Sequence, residues 1–462
     1  MYCVGQLIGK LMNKSILICV DHKWRDLPGY VYLGMHLEKK NIKVYYCRNG
    51  YERFFVELYN PSAVIFNGVW TKTQEAFTKH LHSKKIQVFI IPTEGISILK
   101  DSIDHSAFVH NDLSCVEKIF CWNEKSKIAL KKNKTISNQN VINAGVLRFD
   151  FYTNPVLKKT ILSREKFLKK YGLNPDKKTI LIATNFSAAR FVGKQLNHFQ
   201  HDAKAYGYEK VITEAVGSLE RMAYIDYTSR EILLESIIRL NNKYADINFA
   251  VKLHPSEDHS FYKNYFKSKN IKKISLISNE IIWDILYNVD LEINRSCTTA
   301  FESWLLNKPT IEFRLNPEEY YKSEAHSCGS IIAKSQEELE NAVELALREP
   351  DKFTKQFAQI RNMTLSEFCG ELDGEVTKKI AITISESLSR QNQVQNNKNK
   401  LVYKVIARIL ISFDWFLHDI KYYGVYSTIT REYKDYLGRY DKMFHFRDIR
   451  FWRKRIEQVG EI

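Results

Sequence analysis

Four segments of the chain place polar residues where chemistry could happen. The first is Ile90-Ile91-Pro92-Thr93-Glu94-Gly95, an apolar run that ends on a carboxylate. In open parallel sheets the ligand crevice lies beyond the carboxyl ends of the strands. A carboxylate in that place acts as a general base when it reaches a hydroxyl. Gly95 would let the backbone turn sharply or approach a ligand. The competing reading makes Glu94 a loop acid that caps a following helix.

The second segment is Val251-Lys252-Leu253-His254-Pro255-Ser256-Glu257, again a run ending on a polar residue. Pro255 keeps His254 out of the helical region, so the chain leaves the strand abruptly. A protonated imidazole there could donate to a phosphate oxygen; a satisfied surface histidine is the plainer alternative. The third runs from Asp290 to Thr310 and contains Asn294-Arg295-Ser296-Cys297-Thr298-Thr299-Ala300. Hydroxyls and unpaired amides at a helix start form an anion site. Ser296, Thr298 and Thr299 read equally as helix caps. The fourth, Asp21-His22-Lys23-Trp24-Arg25-Asp26, occupies the first βα loop.

Several chemistries are missing. The Asp21–Asp26 loop is not G-x-G-x-x-G, and the Walker A, zincin, G-x-S-x-G and kinase patterns do not occur. No Asp-x-Asp stands at a strand end, so no divalent-metal site is expected. The cysteines at 3, 19, 47, 115, 121, 297, 328 and 369 form no C-x-x-C pair, which predicts reduced thiols and no zinc.

Short apolar runs alternating with helical patterns must position these residues. Strands are predicted at Ser15–Val20, Lys43–Cys47, Ala63–Asn67, Gln87–Ile91, Lys118–Trp122 and Val141–Gly145. A second set is predicted at Thr179–Thr184, Asn248–Leu253, Lys273–Ile277, Asp290–Asn294 and Thr310–Phe313, with one long helical region over 206–242 between its first two members. This rhythm predicts an α/β chain of two doubly wound halves, 1–160 and 161–390. Residues 391–400 (QNQVQNNKNK) read as a linker, and 401–462 as a helical extension rich in basic and aromatic residues. That extension reads first as a cap on the core, and second as a surface resting on anionic lipid.

Composition sets the outer bounds. Of 462 residues 44% are hydrophobic and 26% charged, which excludes disorder for the bulk of the chain. A net charge of +16 favours an anionic partner. The first residues lack a signal-peptide pattern, and no uninterrupted apolar stretch of about 18 residues occurs. A cytoplasmic protein is expected, with peripheral contact at the inner face of the cytoplasmic membrane as the companion reading.

Taken together, Asp21…Arg25-Asp26, Glu94-Gly95, Thr184-Asn185-Phe186-Ser187, His254-Pro255 and Ser296-Cys297-Thr298-Thr299-Ala300 with Lys308-Pro309 resemble bacterial surface carbohydrate biosynthesis proteins. These are lipopolysaccharide and capsule enzymes of the two-domain GT-B fold. The constellation is similar to that of bacterial sialyltransferases and Kdo transferases, whose acidic-acidic-Gly, His-Pro and Ser/Thr motifs come in this order. The likeness covers roughly residues 14–385, with one departure: Thr93 stands where the pattern has its first acid.

What the resemblance implies is transfer of a sugar from a CMP-activated donor, with no cofactor beyond that donor. Glu94 would deprotonate the acceptor, an anionic glycan or lipid-linked glycan. His254 with Pro255, Ser296, Thr298 and Thr299, and Asn185 with Ser187, would hold the nucleotide phosphate. Asp21, Arg25, Asp26 and Gly95 would line the acceptor side of the cleft. A glycerol-phosphate transferase using CDP-glycerol, or a transferase with another nucleotide-sugar donor, is the alternative. A nucleic-acid partner is not expected, because the polar residues converge on strand ends rather than spreading over one face.

Overall fold

The computed structural model describes residues 14–96, 111–193, 196–205, 208–271, 273–391, 444–460 and the isolated positions 405 and 409. Among the described residues, two six-stranded sheets carry the molecule. The first contains β1 (Ser15–Val20), β2 (Lys43–Arg48), β3 (Ala63–Phe66), β4 (Gln87–Ile90), β5 (Lys118–Cys121) and β6 (Val141–Asn143) in the order 2-1-3-4-5-6. The second contains β7 (Thr179–Ala183), β8 (Asn248–Lys252), β9 (Ile274–Ile277), β10 (Leu291–Asn294), β11 (Thr310–Phe313) and β12 (Ile331–Ala333) in the order 12-11-10-7-8-9. Every pairing is parallel.

Parallel strands covered by helices on both faces need continuous apolar runs, and β1, β4 and β7 are that. Ile16, Leu17 and Ile18 are fully buried, as are Val88, Phe89 and Ile90. β12, which the sequence reading did not predict, is a short edge strand with only Ala333 fully buried. The long helical region divides into helices Tyr208–Val216 and Leu219–Lys243. Gly217 takes a φ of +93°, and the Ser218 side chain accepts from Arg221 N–H to start the second helix.

Each strand order reverses at one point, between β1 and β3 in the first half and between β7 and β10 in the second. Such points open a crevice at the carboxyl ends of the strands. Asp21–Asp26 follows β1, whereas Thr184–Ser187 and Arg295–Thr299 follow β7 and β10.

The boundary at 390 needs correction. Helix Val376–Arg390, assigned by sequence to the second half, packs on the first. Its Val376, Ile380, Ile384 and Leu388 share a core with Leu27, Val31 and Leu37 of helix Leu27–Lys39. Asp150 fastens its start by accepting from Val376 N–H at 3.2 Å and Thr377 N–H at 2.8 Å. Gly374, with φ +77°, crosses so near Asn154 that a Cβ would lie 2.8 Å from its backbone.

Helix Phe446–Glu457 then straps both halves. Its Ile449, Trp452 and Ile456 are buried, and Trp452 meets Phe151 and Trp283 edge-on, each at 6.1 Å. Ion pairs join Arg453 to Glu38 at 2.7 Å in the first half and Arg455 to Asp284 at 3.2 Å in the second. This part of the extension is a cap on its inner face. The linker beyond Gln391, and Leu401, Leu410, Phe413, Trp415, Phe416, Tyr422 and Tyr423, lie outside the described residues.

Candidate active site

On the first half, Arg25 organises the loop after β1. Its Nη1 donates to Glu94 Oε1 at 2.5 Å, its Nη2 to Asp21 Oδ2 at 3.0 Å, and its Nε to Asp26 Oδ1 at 2.8 Å. Glu94 is 42% exposed, and among the described residues its Oε2 has no hydrogen-bond partner. The structure thus brings Glu94, Asp21 and Arg25 together beyond the carboxyl ends of β4 and β1. Asp26 is different. Only 5% exposed, it also accepts from His22 N–H at 3.2 Å, and burial raises its carboxyl above the ordinary value. It braces the loop from beneath and does not face the cleft.

Gly95 also departs from expectation. A Cβ there would lie 2.5 Å from the Trp122 ring, so glycine serves close packing and not a turn. Its carbonyl accepts from Asn123 Nδ2 at 3.2 Å. This anchors the segment just after Glu94 to the start of helix Glu124–Lys131.

On the second half, three strand ends are cross-linked. His254 N–H donates to Thr184 Oγ1 at 3.1 Å, and Asn185 Nδ2 to the Ser296 carbonyl at 3.4 Å. The His254 ring accepts at Nδ1 from Ser256 N–H at 3.2 Å, which leaves the proton of the neutral ring on Nε2. His254, Pro255, Asn185, Ser187, Thr298 and Thr299 are all partly exposed around this junction. Thr298 stands at the N-cap of helix Thr299–Leu305 without a side-chain cap bond.

Ser296 is a correction. It is fully buried, and its N–H and hydroxyl both serve Glu312, at 2.9 and 2.9 Å. Neither group is left to hold a phosphate. Its φ of +44° is instead the bend by which β10 turns into the loop. Arg295, equally buried, fixes the same bend by pairing with Asp226 at 2.8 Å and Glu319 at 2.6 Å.

The residues that join the two walls were missed by the sequence reading. Glu302, on helix Thr299–Leu305, accepts from Arg148 Nε and Nη2 at 3.3 Å each and from the Tyr152 hydroxyl. Arg148 Nη1 also donates to the Thr93 carbonyl at 3.2 Å. One guanidinium therefore spans the residue before Glu94 and the helix that follows the Ser/Thr loop. A charge inside the apolar run Thr299-Ala300-Phe301-Glu302-Ser303-Trp304 was the available signal, because such a charge must find a buried partner. Lys252, at the end of β8, was overlooked too. Burial lowers its ammonium to about 8, and it donates to the Leu253 carbonyl at 3.0 Å. Among the described residues no group of three or more His, Cys, Asp or Glu is placed to hold a metal ion.

No family model matches the sequence, and no curated protein matches it. Solved structures do match in fold. S. aureus MnaA with UDP aligns at a TM-score of 0.50 and 15% identity, over 83% of this chain and 99% of that one. A variant of the wall teichoic acid polymerase TagF soaked with CDPG aligns at 0.52 and 14% identity, over 82% and 90%. A putative UDP-N-acetylglucosamine 2-epimerase from Listeria monocytogenes aligns at 0.50 and 12% identity, over 83% and 98%. What this chain shares with them is the architecture: two Rossmann-like halves in the GT-B arrangement.

Proposed function

We propose that this chain is a glycosyltransferase that moves an ulosonic acid, such as Kdo or a sialic-acid-like sugar, from a CMP-activated donor onto a bacterial surface glycan. One observation supports the reading above the others. Arg148 pairs with Glu302 and donates to the Thr93 carbonyl, which ties the residue before Glu94 to the helix that begins at Thr299 and so supports a reaction shared by the two halves. In the proposed reaction Glu94 takes the proton of an acceptor hydroxyl, and the oxygen attacks the anomeric carbon of the donor. The bond from that carbon to the CMP phosphate breaks. His254 Nε2–H and the groups around Thr298 and Thr299 stabilise the departing phosphate. Arg25 orients Glu94 through its Oε1, and the net charge of +16 suits an anionic donor and an anionic or lipid-linked acceptor.

The likeness to TagF with CDPG supports a second reading, transfer of glycerol phosphate from CDP-glycerol. There the bond broken joins the two phosphates, and one phosphorus stays in the product. Thermal unfolding with added nucleotide tests the donor. CMP at about one hundred times its Kd should stabilise the protein by about 2.7 kcal/mol. Protection by UDP without protection by CMP would refute a CMP-based donor. Product phosphorus, read by NMR, separates the two readings.

A further inference from the structure

The strap helix Phe446–Glu457 has two unlike faces. Inward it buries Ile449, Trp452 and Ile456. Its ion-paired groups also lie on that side: Asp448 meets Lys23 at 3.0 Å, Arg453 meets Glu38, and Arg455 meets Asp284. Outward it presents Arg447, Arg450, Phe451 and Lys454, all exposed, with Phe451 at 56%; Phe446 and Glu457 are exposed at the two ends of the same face, so three cations there stand against one acid. Positions 447 and 451, and 450 and 454, are each four apart, so the four side chains share one stripe of the helix. Among the described residues, Arg447, Arg450 and Lys454 make no ion pair.

We infer that this outward stripe docks the protein on an anionic lipid bilayer. Folding already uses Asp448, Arg453 and Arg455, and it leaves Arg447, Arg450 and Lys454 against the single acid Glu457 around a large exposed aromatic ring, a net-positive stripe. That combination is complementary to an anionic interface: basic side chains are drawn to the headgroup charge, and the aromatic ring enters the boundary region. The helix is held rigidly by both halves, so docking would fix the whole molecule and not a loose tail. Through Lys23–Asp448 it lies next to the Asp21–Asp26 loop. The bilayer would then stand beside the cleft mouth, where a lipid-linked acceptor could be reached. Docking itself does not depend on the donor assigned above.

The experiment is co-sedimentation of the full chain with vesicles of phosphatidylcholine alone or mixed with phosphatidylglycerol, at low and high salt. Each basic side chain near an anionic surface contributes about 1 kcal/mol, about fivefold in partitioning. The triple variant Arg447→Gln/Arg450→Gln/Lys454→Gln should therefore lose about 100-fold on anionic vesicles. Phe451→Ser alone should lose about fivefold or more, since an inserted apolar ring contributes of order 1 kcal/mol or above. Both sets lie on the exposed face, and thermal unfolding should show unchanged midpoints. Equal binding to neutral and anionic vesicles, or a triple variant within twofold of the parent, would overturn the inference. A triple variant that loses binding while Phe451→Ser keeps it within twofold would point to a soluble polyanion instead, and would overturn it equally.

Discussion

Glu292 lies at the base of β10, fully buried beneath the Ser296–Thr299 loop, and its protonation should govern how firmly that part of the fold holds. Burial raises its carboxyl from 4.5 to about 7. The Ser303 hydroxyl, donating at 2.5 Å, opposes the rise without cancelling it, while nearby Glu302 and Glu312 add to it. The native state therefore keeps this proton at pH values where the unfolded chain has lost it. Stability from this group is fully present below about pH 4.5 and is lost as pH rises through about 7. At about 1.4 kcal/mol per pH unit, the total is about 3 kcal/mol. Glu292→Gln keeps the shape, with a donor toward or away from Ser303, but cannot ionise. Urea unfolding of parent and variant, followed by tryptophan fluorescence at pH 5 and pH 8, measures the change. The variant should gain about 2–3 kcal/mol on the parent between the two pH values. Subtracting parent from variant removes the distant titrations common to both, among them Asp150, which burial raises to about 6. A parent–variant difference constant within about 0.5 kcal/mol over that range would refute the reasoning.

Other outcomes are expected at the cleft. Glu94→Gln should lower turnover by about 10² to 10⁴ while leaving CMP affinity nearly unchanged, as steady-state kinetics with calorimetry would read; near-normal turnover would move the base to Asp21. His254→Ala and Thr298→Ala should each weaken CMP binding, with a coupling of about 0.5–3 kcal/mol in the double variant; unaltered affinity in both single variants would displace the phosphate site. Arg148→Met should destabilise the fold by about 3–5 kcal/mol, because it strands the buried Glu302 carboxylate, and Arg148→Met/Glu302→Gln should recover part of that loss. Equal stability of Arg148→Met and the parent in urea would remove the pair from its role between the walls.

How far the sequence could be read follows from the range of each interaction. Parallel strands buried on both faces require apolar runs, and connections between them require helices, so β1–β11 were legible to within a residue or two. Polar residues at the ends of those runs marked Glu94, His254 and Thr298 as candidates, because a parallel sheet offers its ligands the carboxyl edge. The sequence by itself thus determined the two-fold alternation, the strand ends and the short list of polar residues on them. Tertiary structure decided which of those residues stay available. Ser296 and Asp26 look no different from Thr298 and Asp21 in the chain. Only the approach of Glu312 from β11 and the burial of Asp26 under Arg25 remove them from the cleft. Likewise, Glu302 meets an arginine 154 positions earlier, and helix Val376–Arg390 returns to a core begun at residue 16. Local periodicity records which face of an element is apolar. It carries no record of which distant face that element meets, because that choice depends on the packing of all the others.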